Sequence, residues 1–415
     1  MIQIGCVADD FTGAGDWASF FAEKGIKVIL FNGIPEDGFF EEADVAVVAL
    51  KTRTAPVKDA VEETIRALSW LKEHHTKQFY IKYCSTFDCR REGNIGPVID
   101  AAADFLGENR TIVCPALPVN GRTVKEGKLY VNGVELQKSP MKDHPLTPMW
   151  DCRISELMKE QGRGKVCIVP ADLYSDAAGA AEWIKKKADD SQGELLYFVP
   201  DFYEQDHGRT IAGLFQDNRL LTGGSGLCTF LADQLSFDER VQAGRCEAPA
   251  ILIAGSCSQM TLKQIQRYMD AGKKAVKIDP LRLLNSEDTV DSLWEELKEC
   301  REEELLVYSS ESSEKVLKNQ ERGKEKTAAL LENVLAELTE RFLTTGRKRI
   351  IVAGGETSGA VTRRLGFKTW YVGQSIAPGV PVMIPVTDPE VRLVLKSGNF
   401  GDEEFFLKAI KMTGR

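Results

Sequence analysis

Short runs of β-branched and aliphatic residues recur through the first half of the chain, and amphipathic segments separate several of them. These apolar runs cover residues 26–31, 45–50, 79–83, 111–114 and 166–169. After the second run, apolar residues from Val57 to Leu71 recur at helical spacing, which predicts a helix. Unbroken apolar strands that alternate with helices are typical of a parallel sheet covered on both faces. The first half is therefore predicted to be an α/β domain.

The same alternation begins again in the second half, after a mostly polar stretch at 236–249 that has no clear periodicity. Its apolar runs cover residues 251–255, 275–278, 305–308, 350–353 and 380–384. A long amphipathic helix is predicted around 331–342. We therefore predict two α/β domains with mainly parallel sheets, at 1–240 and 249–415, with a cleft between them.

Residues 118–150 interrupt the pattern of the first domain. Two Asn-Gly pairs and several prolines replace the helical periodicity there. Such a segment predicts a β-rich insertion of hairpins and loops. Long irregular pieces in compact domains are often functional, so this insertion is of interest beyond the fold.

The composition is that of a globular protein. Of the 415 residues, 43% are hydrophobic and 28% are charged, which excludes a disordered or collagen-like chain. The net charge of −9 argues against a nucleic acid as the main partner, because phosphate neutralisation needs a basic face. The apolar runs are much shorter than a membrane span, and the first ten residues are unlike a signal peptide. We expect a soluble, cytoplasmic protein.

Several classes of site are disfavoured by spacing. The ten cysteines are scattered without a Cys-x-x-Cys pair, which predicts free thiols in a reducing compartment. The four histidines form no helical His-x-x-x-His pair, so a zinc site is not expected. Neither the Walker pattern of P-loop kinases nor the Gly-x-Ser-x-Gly turn of serine hydrolases occurs.

Three glycine-rich turns in the second domain are the strongest chemical signals. One follows the strand predicted at 350–353 and opens a helix, where free backbone N–H groups and the helix dipole attract anions. A similar turn follows the strand at 251–255, and a third turn begins at Lys396. The alternative is that each of the first two is an ordinary strand-to-helix turn with an N-cap, and that the third is a simple turn before the last helix. We predict that these turns bind phosphate, which the family resemblance described below implies to be that of ATP. The candidate residues are Ser256, Ser258, Gly354, Gly355, Glu356, Thr357, Ser358, Gly359, Gly398, Asn399 and Gly401.

Two adjacent carboxylates, Asp9 and Asp10, follow the first predicted strand. At the carboxyl end of a strand they suit gripping substrate hydroxyls, acting as a base or holding Mg²⁺, although N-caps or solvated turn residues are the alternative. The next segment, Gly13–Ala18, matches the relaxed dinucleotide fingerprint and suggests a dehydrogenase as a rival. The rival is disfavoured, because the two carboxylates stand where a pyrophosphate would need neutral backbone.

A mixed polar segment follows the strand at 79–83. Residues 82–88 combine a cation, two hydroxyls and a carboxylate, and Asn94 opens the next predicted helix. A sugar acid needs this mixture, because its carboxylate requires donors and its hydroxyls require acceptors. Lys82 faces either the site or the opposite side, since strand residues alternate. Residues 206–210 and 222–226 are further polar candidates.

Motifs along nearly the whole chain resemble the four-carbon acid sugar kinase family. They lie at 8–14, 84–88, 93–97, 115–122, 144–149, 222–226, 255–258, 354–359 and 396–401. The resemblance implies a kinase whose first domain holds a sugar acid and whose second domain holds ATP, with Mg²⁺. Ser85-Thr-Phe-Asp88 and His144–Met149 are similar to the 3-oxo-tetronate 4-kinase branch.

The resemblance implies roles for residues of the first domain. Asp9 and Asp10 are the catalytic candidates, and which of them orients the hydroxyl stays open. Substrate contacts are expected from Thr12, Lys82, Ser85, Thr86, Asp88, Arg90 and Asn94. The branch usually has Ser-Thr after the Asp, whereas Cys89-Arg90-Arg91 follow Asp88 here, which leaves the acid open.

We therefore expect an ATP-dependent kinase that phosphorylates the terminal hydroxyl of a four-carbon sugar acid, with 3-oxo-tetronate as the first candidate. The alternatives are D-threonate, D-erythronate or another sugar acid, or a non-catalytic sugar-acid binding protein. The expected partners are the sugar acid and ATP, with neither nucleic acid nor membrane. The oligomeric state, a homo-oligomer included, stays open.

Overall fold

The structure is a computed structural model and describes residues 1–36, 42–143, 147–235, 246–300, 302–310 and 324–414. Contacts within the chain divide it into two compact units, Met1–Val241 and Gln242–Arg415. Each unit is an α/β fold with a mainly parallel sheet, so the predicted fold class is confirmed. The predicted separator at 236–249 lies mostly outside the described residues.

Unit 1 contains a parallel sheet in the order β2-β3-β1-β4-β11-β5-β10-β9. The strands are β1 (Ile4–Ala8), β2 (Val28–Asn32), β3 (Val45–Ala49), β4 (Gln78–Lys82), β5 (Arg110–Cys114), β9 (Lys165–Val169), β10 (Leu196–Pro200) and β11 (Leu220–Gly223). The helices are α1 (Phe11–Glu23), α2 (Val57–Glu73), α3 (Ile95–Leu106), α4 (Ile154–Lys159), α5 (Ala177–Asp190), α6 (His207–Leu214) and α7 (Cys228–Ala232). Every residue of β1, β3 and β10 is buried, as expected for strands covered on both faces.

The predicted β-rich insertion is a separate three-stranded antiparallel sheet. Its strands are β6 (Arg122–Lys125), β7 (Lys128–Val131) and β8 (Val134–Glu135). The turn between β7 and β8 is Asn132-Gly133, and both residues have positive φ, as two-residue hairpin turns require. Val124 and Phe202 exchange backbone hydrogen bonds, which fastens the insertion to the segment after β10.

Unit 2 contains a second sheet in the order β13-β14-β12-β15-β18-β17-β16. Its strands are β12 (Ala250–Ala254), β13 (Lys274–Lys277), β14 (Glu304–Tyr308), β15 (Arg349–Ala353), β16 (Thr369–Ala377), β17 (Val380–Pro385) and β18 (Arg392–Lys396). Its helices are α8 (Gln259–Asp270), α9 (Pro280–Leu284), α10 (Val290–Leu297), α11 (Lys324–Thr344), α12 (Gly355–Leu365) and α13 (Phe405–Thr413). The first five strands of this order, from β13 to β18 in space, pair in parallel. Strand β17 pairs antiparallel with both of its neighbours, β18 and β16.

Each sheet has a point at which the strand order reverses. In unit 1 the chain runs from β1 outward to β2 on one side, and β4 lies on the other side. In unit 2 it runs from β12 outward to β13 on one side, and β15 lies on the other. Open α/β sheets bind ligands beyond the carboxyl ends of the strands at such switch points. The strand order therefore directs attention to the loops after β1 and β4, and after β12 and β15.

All ten cysteines are free thiols, as their spacing predicts. Among the described residues, no helix has both the length and the apolar content that a membrane crossing requires.

Candidate active site

The two predicted catalytic carboxylates lie at the switch point of unit 1 and share one arginine. Asp9 and Asp10 follow β1, and Arg53 lies in the loop after the neighbouring strand β3. Arg53 Nε and Nη2 donate to the two oxygens of Asp9, each at 2.9 Å, and Nη1 lies 2.6 Å from Asp10 Oδ2. This fork fixes Asp9 through both oxygens and Asp10 through only one. Asp10 is also the more exposed of the two, with 32% of its side chain accessible against 16% for Asp9.

Asp10 has a second, local role as the N-cap of α1. Its backbone is extended, and its Oδ1 accepts a hydrogen bond from Gly13 N. A Cβ on Gly13 would lie 2.7 Å from this oxygen and 2.7 Å from Lys82 Nζ, so a larger residue would displace both side chains. Gly13 and Gly15 are buried within α1 rather than in a turn before it. The dinucleotide fingerprint suggested for Gly13–Ala18 therefore does not form a pyrophosphate-binding turn.

Buried charges of both signs balance each other around Asp9. Burial raises the pKa of Asp9 above its usual value, and Arg53 and then Lys82 act against that rise. Lys82 is 4% exposed, and burial alone would lower its pKa; Asp9, Asp16 and Asp10 outweigh burial and raise the pKa. Lys82 is therefore a charged residue beneath the first turn of α1.

Arg53 is the residue of this group that the sequence analysis missed. It follows the apolar run at 45–50, within the polar segment Lys51-Thr-Arg-Thr54. That segment is a usable signal, because the carboxyl end of β3 lies beside that of β1 in a parallel sheet. The amides of Thr52 and Arg53 both donate to Asp9 O, at 3.0 and 3.2 Å, so the loop is tied to the site.

Asn94, predicted to contact substrate, holds this loop through its side-chain amide. Its amide nitrogen donates to Thr52 O at 2.6 Å and to Ala55 O at 3.0 Å, and its side chain is buried. Asn94, Thr52, Asp9 and Lys82 also line a cavity of about 20 Å³. Apolar side chains from β1, β4 and α3 form most of the remaining wall. The structure thus brings Asn94 to the site as a support for Arg53.

The loop after β4 carries the next group of predicted substrate residues. Thr86 Oγ1 donates to Asp88 Oδ1 at 2.9 Å, and Ser85 is partly exposed. Phe87 has a φ of 50°, which is unusual for a bulky residue, and its ring is buried against Tyr83 at 5.3 Å. Phe87 therefore anchors the loop while its polar neighbours face other directions.

The departure at Cys89-Arg90-Arg91 has a structural explanation for two of its residues. Cys89 is fully buried and its thiol donates to Leu157 O at 3.5 Å, so a thiol there does not replace a substrate-facing hydroxyl. Arg91 is exposed, and its guanidinium stacks on Trp150 at 4.4 Å. The Arg90 carbonyl accepts from Gly93 N at 3.0 Å, and the side chain is partly exposed. Only Arg90 is left as a specificity candidate.

Two other predicted segments of unit 1 lie at different distances from the acid pair. The turn at Gly224-Ser225-Gly226 reaches α1, because Ser225 Oγ donates to Asp16 Oδ2 at 2.5 Å. His207, by contrast, begins α6 after β10, which is four strands away from β1 in the sheet. Thr12 is exposed in the first turn of α1. Residues 144–146 of the predicted His-Pro-Leu-Thr-Pro-Met motif lie outside the described residues.

The three predicted glycine turns of unit 2 lie side by side. They follow β12, β15 and β18, which are consecutive neighbours in a parallel part of the sheet. The first two flank the switch point of this unit. The turns contact one another through Ser256, Ser258, Gly354, Thr357 and Gly398. The contacts are close: a Cβ on Gly255 would lie 2.2 Å from Thr357 Oγ1, and a Cβ on Gly398 would lie 2.4 Å from Ser256 Oγ.

The second turn presents free donors at the start of α12. Gly354 has a φ of 131°, which only glycine adopts readily, and Gly355 opens the helix. The first amides of a helix have no partner within it, so those at the start of α12 face outward. A Cβ on Gly355 would meet no atom within 4 Å, which leaves the approach to these amides open. Ser358 Oγ, on the same turn, is buried with no hydrogen-bond partner among the described residues.

Other predicted residues frame this opening. Glu356 and Asn399 are exposed, Gly359 is partly exposed, and Gly401 has a φ of 76° beside Phe405. Ser258 caps α8 by accepting from Thr261 N at 3.2 Å. The alternative interpretation of the first turn, an N-cap, is thus correct for Ser258, and it is compatible with an open anion site at the second turn.

The described residues contain no group of three or more His, Cys, Asp or Glu side chains that could hold a metal ion. The Asp9–Asp10 pair is occupied by Arg53, which neutralises much of its charge. Mg²⁺ is commonly bound by one or two carboxylates together with substrate phosphates and water. The side chains therefore fit a Mg²⁺ ion that arrives with nucleotide phosphates, and they do not form an all-protein cage.

Comparison with known proteins assigns the two units. A family model described as a sugar-binding N-terminal domain matches residues 4–231, and one described as a nucleotide-binding C-terminal domain matches residues 251–406. The chain belongs to the four-carbon acid sugar kinase family. The switch points of the two units therefore lie in a sugar-binding and a nucleotide-binding domain, respectively.

Individual relatives match over the full length. The 3-oxo-tetronate kinase of Pectobacterium atrosepticum is 40% identical over 99% of each chain. The 3-oxo-tetronate kinase of Brucella melitensis is 40% identical over 100% of this chain and 96% of the relative. The crystal structure of a protein from Salmonella typhimurium has a TM-score of 0.92 and 38% identity, and the match covers 99% of both chains.

Proposed function

We propose that the protein is an ATP-dependent kinase that phosphorylates the terminal hydroxyl of 3-oxo-tetronate to give 3-oxo-tetronate 4-phosphate. The observation that carries the proposal is the full-length identity of about 40% with 3-oxo-tetronate kinases. The glycine turns at the switch point of unit 2 and the acid pair at the switch point of unit 1 support it. The reaction uses intracellular ATP, and we place the enzyme in the cytoplasm, where its free thiols would stay reduced.

We propose that the ATP phosphates bind at the start of α12, where Gly355 leaves the amides open and Thr357 adds a hydroxyl nearby. Phosphoryl transfer depends mainly on positioning and charge stabilisation. Mg²⁺, held largely by these phosphates, would neutralise part of their charge.

Of the two carboxylates, we assign Asp10 as the residue that orients the attacking hydroxyl. Asp9 is fixed through both oxygens by Arg53, and burial raises its pKa. Asp10 is twice as exposed and makes one contact to Arg53. A carboxylate oxygen can accept more than one hydrogen bond, so Asp10 can receive a substrate hydroxyl and keep its cap.

The proposed reaction is an in-line transfer of the γ-phosphoryl group of ATP to the acid. The terminal hydroxyl oxygen of the acid attacks the γ-phosphorus, the bond from that phosphorus to the ADP oxygen breaks, and ADP leaves. The hydroxyl proton passes to Asp10 and then to water. Ser85, Thr86 and Asp88, together with Arg90, are proposed to hold the rest of the acid, because they supply hydroxyls, a carboxylate and a guanidinium beside the acid pair.

A coupled ADP-release assay tests the proposal. With Mg-ATP and a panel of 3-oxo-tetronates, D-threonate, D-erythronate and larger sugar acids, we expect turnover to be fastest with a 3-oxo-tetronate. Turnover with another acid only would keep the kinase and overturn the substrate, and Arg90 would be the first residue to examine. Binding of a sugar acid without ATP binding or ADP release would favour the non-catalytic alternative.

Removing the cation between the two carboxylates is expected to change the pH profile. In Arg53→Gln, burial of Asp9 is no longer opposed by its main partner, so the pKa of Asp9 rises further. Asp9 adjoins Asp10 and shares Arg53 with it, so protonation of Asp9 changes the charge beside the proposed acceptor. We therefore expect the acid limb of kcat/KM to move upward by about 1–3 pH units. The measurement is kcat/KM from about pH 5 to 9 for both proteins. Arg163→Gln is the matched control, because Arg163 forks onto Asp104 on the exposed surface of α3. An unchanged acid limb in Arg53→Gln would show that Arg53 does not control the ionisation on which the reaction depends.

A further inference from the structure

Lys396, the last residue of β18, lies buried below the third glycine turn. Its side chain is 1% exposed. Its ammonium donates to Gly398 O at 2.8 Å, to Thr261 Oγ1 at 3.0 Å and to Ser397 O at 3.2 Å. An ammonium has three donors, and these contacts use all of them. Lys396 therefore cannot contact a nucleotide without giving up one of these bonds.

The same residue connects all three turns of unit 2. Its backbone carbonyl accepts from Gly354 N at 2.9 Å, which ties it to the second turn. Gly398 O, which Lys396 holds in the third turn, also accepts from Ser258 Oγ at 2.7 Å and Thr261 Oγ1 at 2.9 Å. Ser258 closes the first turn and caps α8. Gly398 O thus accepts three hydrogen bonds: from Lys396, from Ser258 of the first turn and from Thr261 of α8.

The charge of Lys396 has no carboxylate partner within salt-bridge distance among the described residues. The ring of Phe405 lies 5.6 Å from its ammonium. Charged groups on the adjacent α8 and around the start of α13 pair with one another instead: Lys263 with Glu403, Arg267 with Glu404, and Lys408 with Asp402. Burial lowers the pKa of Lys396 to about 8. A buried cation without a counter-ion is costly, and a nearby bound anion would offset that cost.

We propose that Lys396 is a positioning residue for the nucleotide: its buried ammonium fixes the third turn against the first and second turns in the arrangement that binds the phosphates. The ligand class is a nucleoside di- or triphosphate, and its phosphates supply the negative charge that Lys396 lacks. The inference rests on the proposed ATP site and adds a residue that acts through Gly398 rather than by contact with ATP.

Substitution by methionine separates this role from a purely structural one. Methionine has a similar length and carries no charge, so Lys396→Met is expected to melt at the same temperature as the wild type or higher. Its Kd for ADP and its KM for ATP are expected to rise about tenfold or more, because the charge-assisted bonds to the turn are lost, while kcat at saturating ATP changes little. Lys396→Gln keeps a donor without the charge, so its Kd for ADP is expected to lie between those of the wild type and Lys396→Met.

The pH dependence gives a second readout. Only the ammonium form carries the proposed charge, so the affinity of the wild type for ADP is expected to weaken as pH rises through about 8. Lys396→Met is expected to show a flat profile over the same range. Lys263→Met is the matched control, because it removes an exposed lysine of α8 that pairs with Glu403.

Isothermal titration calorimetry with ADP, together with the ADP-release assay, distinguishes the outcomes. If the wild type neither binds ADP nor turns over, the proposed function fails. If the wild type does both, and Lys396→Met binds ADP equally well with the same pH profile, Lys396 has no role in nucleotide binding and the inference is wrong. Weakened, pH-independent binding in Lys396→Met supports it. If Lys396→Met does not fold, Lys396→Gln and the wild-type pH profile decide between the same outcomes.

Discussion

Replacing Asp10 with asparagine is expected to lower kcat by about 10²- to 10⁴-fold, the range over which a positioned acid or base contributes to a reaction. Asparagine keeps the side-chain length and the oxygen that caps α1, so the helix start is retained. It removes the charge that would accept the hydroxyl proton. The affinity for ATP is expected to stay within about twofold, because the proposed ATP turns belong to unit 2. The measurement is kcat for 3-oxo-tetronate and Kd for ADP.

Asp176→Asn is the matched control for this substitution. Asp176 is also an aspartate N-cap, and it also accepts from the amide of a glycine three residues later, Gly179. It lies at α5, far along the chain from β1, and has no part in the proposed chemistry. Both variants should keep the stability of the wild type, and only Asp10→Asn should lose turnover. If Asp10→Asn keeps its kcat within about tenfold, Asp10 is not the proton acceptor and the assignment moves to Asp9.

Most of the fold was predictable from the apolar runs. The strands expected near 45–50, 111–114 and 350–353 match β3, β5 and β15 to within a residue or so. The runs were readable because strands that are buried on both faces need apolar residues at every position. By contrast, β16 alternates between buried and more exposed positions in Thr369–Ala377, and the sequence pattern predicts no strand there. Its antiparallel partner β17, which is buried throughout, was predicted from its apolar run.

The site was predictable where chemistry and local backbone geometry coincide. Glycine turns between a strand and a helix are visible in the sequence, and the three in unit 2 lie together because their strands are neighbours. Contacts between distant segments were not visible. Arg53 is 44 positions from Asp9, and Thr261 is 135 from Lys396, so pairing them requires the strand order. Asn94 shows the same limit, since its donors are spent on carbonyls 42 and 39 positions away.

The order of strands adds a reason for the position of the acid pair that residue types alone do not give. Asp9 and Asp10 follow β1. From β1 the chain continues to β2 and β3 on one side of that strand, and it then crosses to β4 on the other side. Diverging connections leave a crevice at that point, which is why ligands bind there. The loops that carry Arg53 and Ser85–Asp88 follow the strands on the two sides of β1. The predicted residues thus converge for a topological reason.

Replacing Gly355 with valine is expected to weaken nucleotide binding strongly without unfolding the protein. A Cβ at this position meets no atom within 4 Å, and its φ is not positive, so valine fits the backbone. The branched side chain would cover the first amides of α12 and keep a phosphate from them. A hydrogen bond to a charged group contributes about 1.5–3 kcal/mol, so losing one raises Kd for ADP roughly 10- to 100-fold. The measurement is titration with ADP alongside thermal unfolding.

Gly213→Val is the matched control for that result. Gly213 lies in α6 of unit 1, is exposed, and likewise has open space where a Cβ would stand. Both variants exchange a helical glycine for the same residue, so any general effect of valine on helix stability or solubility is common to them. Only Gly355→Val should lose affinity. Equal ADP binding by the two variants would place the phosphates away from α12, and an unfolded Gly355→Val would show that the space at this turn is needed by the fold rather than by the nucleotide.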